Sequence, residues 1–286
     1  MNPEISRRVF IVGCPRSGTT LLQSLLTANS HIVSFPETHF YEKLFGGRLR
    51  SSLGIPSKKV KTHWKNVLKE IGHPEMGTFL TKNPIFIRQY SKAFLQILDT
   101  LTRQQGKQVW LEKTPGHLHV IDEIKSYVPQ PKFIHILRNG GDNIASLFEA
   151  GKRYPKIWAH EFGTLDQCIQ SWIEDIRISL AYTEAENHQL IRYEHLTKHP
   201  EVVLENLCKF IGVPFEEEMI SNYATSADQL ILEMEPWKSS VKEPINAKTS
   251  RFYEYLNEEQ RKYTRARIPG ELLDYFHPEQ NQGEPV

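Results

Sequence analysis

The chain is 286 residues long and 39% hydrophobic, with 35 Lys plus Arg against 34 Asp plus Glu. That length and apolar content suit one large α/β domain rather than two equal ones, and the charge balance excludes an overall basic field that would draw the protein to nucleic acid or an anionic membrane, so any anion site must be local. Three widely spaced cysteines, Cys14, Cys168 and Cys208, fit neither a disulfide framework nor a zinc cluster, and the sequence shows neither a signal stretch nor an apolar run of the roughly 18 residues a membrane span requires, so a soluble, cytoplasmic protein is expected.

The first strand is predicted at Val9 to Val12, a short apolar run rich in β-branched residues. Directly after it comes Gly13-Cys14-Pro15-Arg16-Ser17-Gly18-Thr19-Thr20, followed by Leu21, Leu22, Leu25 and Leu26 at the spacing of a buried helix face. A strand, a glycine-containing loop and a helix N-terminus together make an anion site, because successive backbone N–H groups and the helix dipole converge on one point. The pattern imitates the P-loop of nucleoside triphosphatases, but Thr19 stands where those proteins place a phosphate-reaching lysine, and the basic residue has moved into the loop as Arg16. No convincing apolar strand ends in a magnesium-holding aspartate, so the expected guest carries fewer charges and needs no metal.

A second strand, Ile32 to Phe35, ends in Pro36-Glu37-Thr38-His39. Parallel strand ends face the same crevice as the anion loop, which makes Glu37 and His39 candidate bases, one a carboxylate and the other an imidazole with a pKa nearer neutrality. The Tyr41 to Phe45 segment and a helix over Lys58 to Ile71 are expected to form a lid over the second substrate. A longer amphipathic helix is predicted from Ile85 to Gln105, with Phe86, Tyr90, Phe94, Ile97, Leu98 and Leu101 on one face and Gly106 as its stop. The third strand, Gln108 to Leu111, leads into Glu112-Lys113-Thr114-Pro115, and His117 and His119 follow near the crevice. His39, His117 and His119 lie in separate loops without recognised ligand spacing, so no metal site is expected.

The fourth strand, Phe133 to Leu137, ends at Arg138, and Asn139-Gly140-Gly141-Asp142 turns into a helix. Asp142 suits an N-cap, which puts Ser146 in the first helical turns, able with Arg138 to grip a further anion. Two anion sites imply two phosphates on one ligand. One long helix is predicted to carry Trp158, Phe162, Leu165, Ile169, Trp172, Ile173 and Ile176, and the fifth strand runs from Gln189 to Tyr193. The stretch from Trp237 to Thr249 lacks periodicity and reads as a basic loop holding Lys238, Lys242 and Lys248, while the polar residues His277 to Val286 read as a frayed tail on a single domain of residues 1–276. The alternation predicts a three-layer, P-loop-like α/β fold with a central, mainly parallel five-stranded sheet flanked by helices and a ligand crevice beyond the carboxyl ends of the strands.

The segment Pro15-Arg16-Ser17-Gly18-Thr19-Thr20-Leu21-Leu22 resembles the 5'-phosphosulfate loop of sulfotransferases that use 3'-phosphoadenosine-5'-phosphosulfate (PAPS), in the branch with arginine, as in tyrosylprotein and many bacterial sulfotransferases. Arg138 and Ser146, eight residues apart, reproduce the family's 3'-phosphate motif, and ATP has no such phosphate. The resemblance implies in-line transfer of a sulfuryl group from PAPS to a hydroxyl acceptor, with 3'-phosphoadenosine-5'-phosphate (PAP) as product and no metal. It assigns Pro15, Arg16, Ser17, Gly18, Thr19 and Thr20 to the phosphosulfate, with Arg16 at the leaving group and Lys113 approaching the transferring group. Tyr193-Glu194-His195-Leu196 resembles the adenine-side segment, with Tyr193 stacked on adenine or, alternatively, a core tyrosine at a strand end. Ser250-Arg251-Phe252 resembles the segment that closes over the 3'-phosphate, with Arg251 the first candidate and Lys248 the second, although the spacing ahead of it is longer than in the tyrosylprotein branch. Glu37, 21 positions after Arg16, matches the spacing of the catalytic glutamate in the tyrosylprotein branch and is favoured as base over His39 or His117, although cytosolic relatives use a histidine placed elsewhere in their chain. The acceptor stays open among peptide tyrosine, sugar, lipid or polyketide alcohol and small phenol, as does the oligomeric state. A P-loop small-molecule kinase and a non-catalytic nucleotide-binding module are the competing readings.

Overall fold

The apolar runs form strands buried on both faces, which is why they show no polar alternation. In the computed structural model, which describes residues 4–45, 51–80, 84–231, 235, 237–238, 241, 245 and 250–277, the strands are β1 (Arg7–Val12), β2 (Ile32–Ser34), β3 (Val109–Lys113), β4 (Lys132–Leu137) and β5 (His188–Arg192). They build one sheet in the order β2-β3-β1-β4-β5, with every pairing parallel. Successive side chains part to opposite sides: Phe10, Val12, Val33, Trp110 and Phe133 enter one core, and Val9, Ile11, Leu111, Ile134 and Ile136 another. The first core is aromatic, with Phe10 edge-on to Trp110 at 5.4 Å and stacked on Phe133 at 5.5 Å. The amphipathic helix Ile87–Gln104 closes it, bringing Phe94 to stack on Phe40 at 4.3 Å. Helices Thr19–Thr27 and Pro200–Ile211 cover the second core, and a third gathers around helix Gly140–Arg153.

Because β1 lies between β3 and β4, the chain leaves the centre of the sheet in both directions, which opens the crevice beyond the strand ends where a ligand is expected. The single helix predicted through Trp158 and Ile176 is two helices, Pro155–Phe162 and Leu165–Leu180. The chain breaks at Gly163 and restarts at Thr164, whose hydroxyl accepts the Gln167 N–H at 3.2 Å in a capping box. The fifth strand stops at Arg192, and Tyr193 opens the short helix Tyr193–Lys198. Cys14, Cys168 and Cys208 are buried free thiols, as expected for small core residues, and burial pushes Cys168 up to about 12 and Cys208 to about 11. Among the described residues no helix is long and apolar enough to cross a membrane.

A buried histidine pair ties β4 to β5. His135 Nε2 lies 2.8 Å from His188 Nδ1, and the His188 ring is sandwiched between Phe133 at 4.7 Å and Tyr182 at 4.3 Å. Burial lowers His135 to about 3 and His188 to about 4, with His188 adding to the first shift and Lys125 to the second. The unfolded chain therefore binds more protons than the folded one below a pH of about 6.5, so stability falls as pH drops through that window. Urea unfolding at pH 7.0 and 4.5 should show a loss of about 2 kcal/mol from His135 alone. The double substitution His135→Leu/His188→Phe should reduce that difference, and an unchanged pH dependence would show that the pair is not its source.

Candidate active site

The loop after β1 is shaped by backbone positions that only particular residues tolerate. Gly13 has φ 148°, and a Cβ there would meet the Ile136 carbonyl at 2.6 Å; Gly18 has φ 102°, and a Cβ there would stand 2.3 Å from the Tyr193 ring. Between them Arg16 adopts φ 69°, left-handed for a residue that has a side chain, and its carbonyl is held by Arg138 Nη1 at 3.0 Å. Asn143 Nδ2 holds the Pro15 carbonyl at 3.2 Å. The helix Thr19–Thr27 begins at Gly18 with no side-chain cap and no acidic residue in its first turn, so its first N–H groups and dipole are directed at the loop's concavity. Ser17 is fully buried, and its Oγ has no hydrogen-bond partner among the described residues.

A second cationic station adjoins the loop. Arg138, Ser146 and Arg251 line the same cleft as Arg16, a cavity of about 910 Å³. Arg16 spans both stations: its Nε donates to Ser146 Oγ at 3.3 Å and its Nη1 to the Trp237 carbonyl at 3.0 Å. Burial, and then the nearby charges of Arg251 and Arg138, lower Arg16 to about 10. Arg138 Nε is buried without a partner among the described residues, and its guanidinium lies 4.7 Å over the Tyr193 ring. Tyr193 is half-buried against Gly18 and lines the cleft, at once a packing residue and a surface on which a base could stack.

The expected N-cap is corrected. The helix Gly140–Arg153 is capped by Asn139, whose Oδ1 accepts the Asp142 N–H at 2.8 Å. Asp142 sits inside the first turn, where it captures the late segment instead, accepting from Ser250 Oγ at 2.7 Å and the Phe252 N–H at 3.0 Å. That contact, with the Arg251–Glu149 ion pair, fixes Arg251 at the second station. Glu194 accepts from the Asn139 N–H and Nδ2 at 2.9 and 2.8 Å, so the segment after β5 holds the cap in place.

Beside the loop lies the candidate chemistry. Alternation along β3 sends Glu112 to one face and Lys113 to the other. Lys113, 1% exposed, donates to Thr20 Oγ1 at 3.3 Å and pairs with Glu37. Glu37 also meets Lys238 Nζ at 2.7 Å and His39 Nε2 at 3.4 Å. Burial would raise the Glu37 carboxyl, but Lys113, Lys238 and His39 hold it well below the usual carboxylate range. Lys113 is lowered to about 8 by burial, against the pull of Glu37. His39 is pushed upward: burial opposes its charge, but a 3.0 Å contact with Glu42 and the Glu37 charge outweigh that. A shift in that direction favours the imidazole as a hydrogen-bond donor over its use as a base.

His117 is fully buried beneath the strand ends, 2.8 Å from Glu112, and its Nε2 accepts the Tyr41 N–H at 3.2 Å, so it stands outside the cleft as a packing residue. His119 reaches the cleft wall and pairs with Asp175 at 2.9 Å. Lys242 and Lys248, and with them most of the basic loop, lie outside the described residues, as do residues 278–286 of the expected tail. Sequence reading left Lys238, Asn143, Glu149 and Glu42 without a role. Asn143 had a usable signal, three positions before Ser146 on the same helix face; Lys238 had none beyond its charge.

A parallel sheet with a glycine-containing loop after its central strand, and a second cationic station beyond the neighbouring strand, defines an α/β protein of the P-loop-like class. The sulfotransferase family profile matches residues 8–217, and the chain belongs to that family. It is 24% identical to protein-tyrosine sulfotransferase A of Caenorhabditis elegans over 242 residues, 78% of this chain and 57% of that protein. A similar match to the Drosophila melanogaster protein-tyrosine sulfotransferase, 24% identical, covers 74% of this chain and 39% of the relative, so the chain spans about half the length of these relatives or less. Among solved structures it resembles the sulfotransferase domain of the Synechococcus PCC 7002 olefin synthase, with TM-score 0.54, 21% identity and coverage of 93% of this chain and 97% of that one. A mouse sulfotransferase crystallised with PAP gives TM-score 0.52 at 14% identity, covering 95% and 90% of the two chains. At these identities the structural likeness speaks for the fold.

Proposed function

We propose that this chain transfers the sulfuryl group of PAPS to a hydroxyl-bearing acceptor. The observation that carries the reading is a pair of cationic stations in one cleft, the loop of residues 13–20 and the cluster of Arg138, Ser146 and Arg251, suited to opposite ends of a bisphosphorylated adenosine. Ser17 Oγ and Arg138 Nε, one in each station and both buried without a partner among the described residues, fit a ligand that brings phosphate oxygens to both. In this reading the acceptor oxygen attacks sulfur in line with the bond to the 5'-phosphate. That bond breaks as the new S–O bond forms, PAP keeps the electron pair, and the acceptor proton passes to Glu37. Arg16 and Lys113 neutralise the oxygens that gain charge, and the uncapped helix N-terminus adds to them. Val120, Ile157, Trp158 and Phe162 also line the cleft, which supports an acceptor whose hydroxyl is carried on an apolar or aromatic body. Three buried free thiols support a reducing, cytoplasmic setting.

The test is binding followed by transfer. PAP at about a hundred times its Kd should stabilise the fold by about 2.7 kcal/mol, raising Tm by about 5 °C without magnesium. ATP should raise it far less, and sulfur-labelled PAPS should label one class in a panel of phenols, sugars and alcohols. A magnesium-dependent ATP shift as large as that of PAP would instead favour a kinase.

A further inference from the structure

Lys238 comes from a stretch with no periodicity, yet it is 7% exposed. A lysine in an ordinary loop keeps its ammonium in water; this one is drawn into the reaction centre. Its Nζ lies 2.7 Å from Glu37 Oε1, the same oxygen that receives Lys113, and it pairs with Glu235 on its other side. The residue before it, Trp237, gives its carbonyl to Arg16 at 3.0 Å and sets its ring against Tyr154 at 5.6 Å and Trp158 at 5.7 Å. Two consecutive residues therefore touch the arginine of the anion loop and the candidate base.

One ammonium neutralises one carboxylate. Glu37 has two converging on a single oxygen, and a base so clasped accepts a proton poorly until the clasp loosens. Lys113 cannot leave for the apolar surroundings, because an unpaired buried ammonium is costly, and it needs another anion to move to. Lys238 has Glu235 as a second partner, so it can release Glu37 without being left unpaired. Lys113 already stands 3.3 Å from Thr20 Oγ1, at the first turn of the helix that begins the anion cradle, so an anion delivered there comes within its reach.

We infer that Lys238 is a second sulfonate-facing lysine: it clasps Glu37 and, with Lys113, turns onto the transferring sulfonate when the donor binds, so that donor binding unmasks the base. This rests on the PAPS reading above. Lys238 keeps its proton throughout; it exchanges one anionic partner for another, while the acceptor proton goes to Glu37.

PAP and PAPS differ only in the sulfonate, so the pair isolates the contact without an identified acceptor. Acceptor-free calorimetry on the full chain, wild type, Lys238→Met and Lys238→Arg, is the experiment. Lys238→Met should weaken PAPS by about tenfold or more and PAP by less than about threefold, as expected for loss of one charge-assisted contact. Lys238→Arg should recover most of the PAPS affinity. Equal losses for both nucleotides would assign Lys238 to holding the cleft together and overturn the inference, and no loss for either would overturn it too. A wild-type chain that binds neither nucleotide would remove the donor reading itself, a different failure from either of these.

Discussion

Replacing Glu37 with glutamine should lower the transfer rate by about two to four orders of magnitude while PAP and PAPS affinities hold or improve. The amide keeps the shape of the carboxylate and still offers an oxygen to Lys113, but it cannot take the acceptor proton. Affinity should not suffer, because two lysines lose the negative partner that competes with the donor for them. A charge removed from an anion site usually weakens binding; here the removed charge is of the ligand's own sign. His39→Gln provides the contrast. Glu42 and Glu37 bias its imidazole toward the charged form and away from the role of base, so its loss should cost transfer about tenfold or less, through the orientation of Glu37. Single-turnover transfer with labelled PAPS measures both, and a dead His39→Gln beside an active Glu37→Gln would reverse the assignment.

That assignment was legible in the sequence only in part, and the boundary follows the range of the interactions. The strands stood out because burial on both faces demands an unbroken apolar run. The anion loop stood out because glycine at positions 13 and 18 answers to local geometry, the Ile136 carbonyl and the Tyr193 ring leaving no room for a Cβ. Arg138 and Ser146 line one cleft although the cap was assigned three residues late, since Asn139 and Asp142 are equally good caps and only the fold reveals which one Ser250 and Phe252 claim. The break at Gly163 was missed because Trp158, Phe162, Leu165 and Ile169 stay in phase across it, and periodicity cannot register a turn that preserves it. Lys238 was beyond reach. Its partner Glu37 lies 201 positions away, and no local pattern records so distant a contact.

The second large effect belongs to Arg138. Arg138→Met should weaken PAP by about two to three orders of magnitude but AMP by less than about tenfold. Two components act at this residue. One is structural: Nη1 holds the Arg16 carbonyl at 3.0 Å, pinning a left-handed arginine at φ 69°, so its removal loosens the loop for any 5'-phosphate. The other concerns Nε, which has no partner among the described residues, and the guanidinium charge, both available to a 3'-phosphate that AMP lacks. AMP reports the first component alone, PAP reports both, and the ratio of the two losses isolates the second. Arg138→Lys should fall between, restoring charge without the planar fork. Ser146→Ala should be milder, about tenfold on PAP, since it removes one neutral hydrogen bond. If AMP and PAP lost equal affinity in Arg138→Met, the residue would only prop the loop. The 3'-phosphate would then have to be held by Arg251 and by Arg16, whose Nε already reaches Ser146 in this cleft.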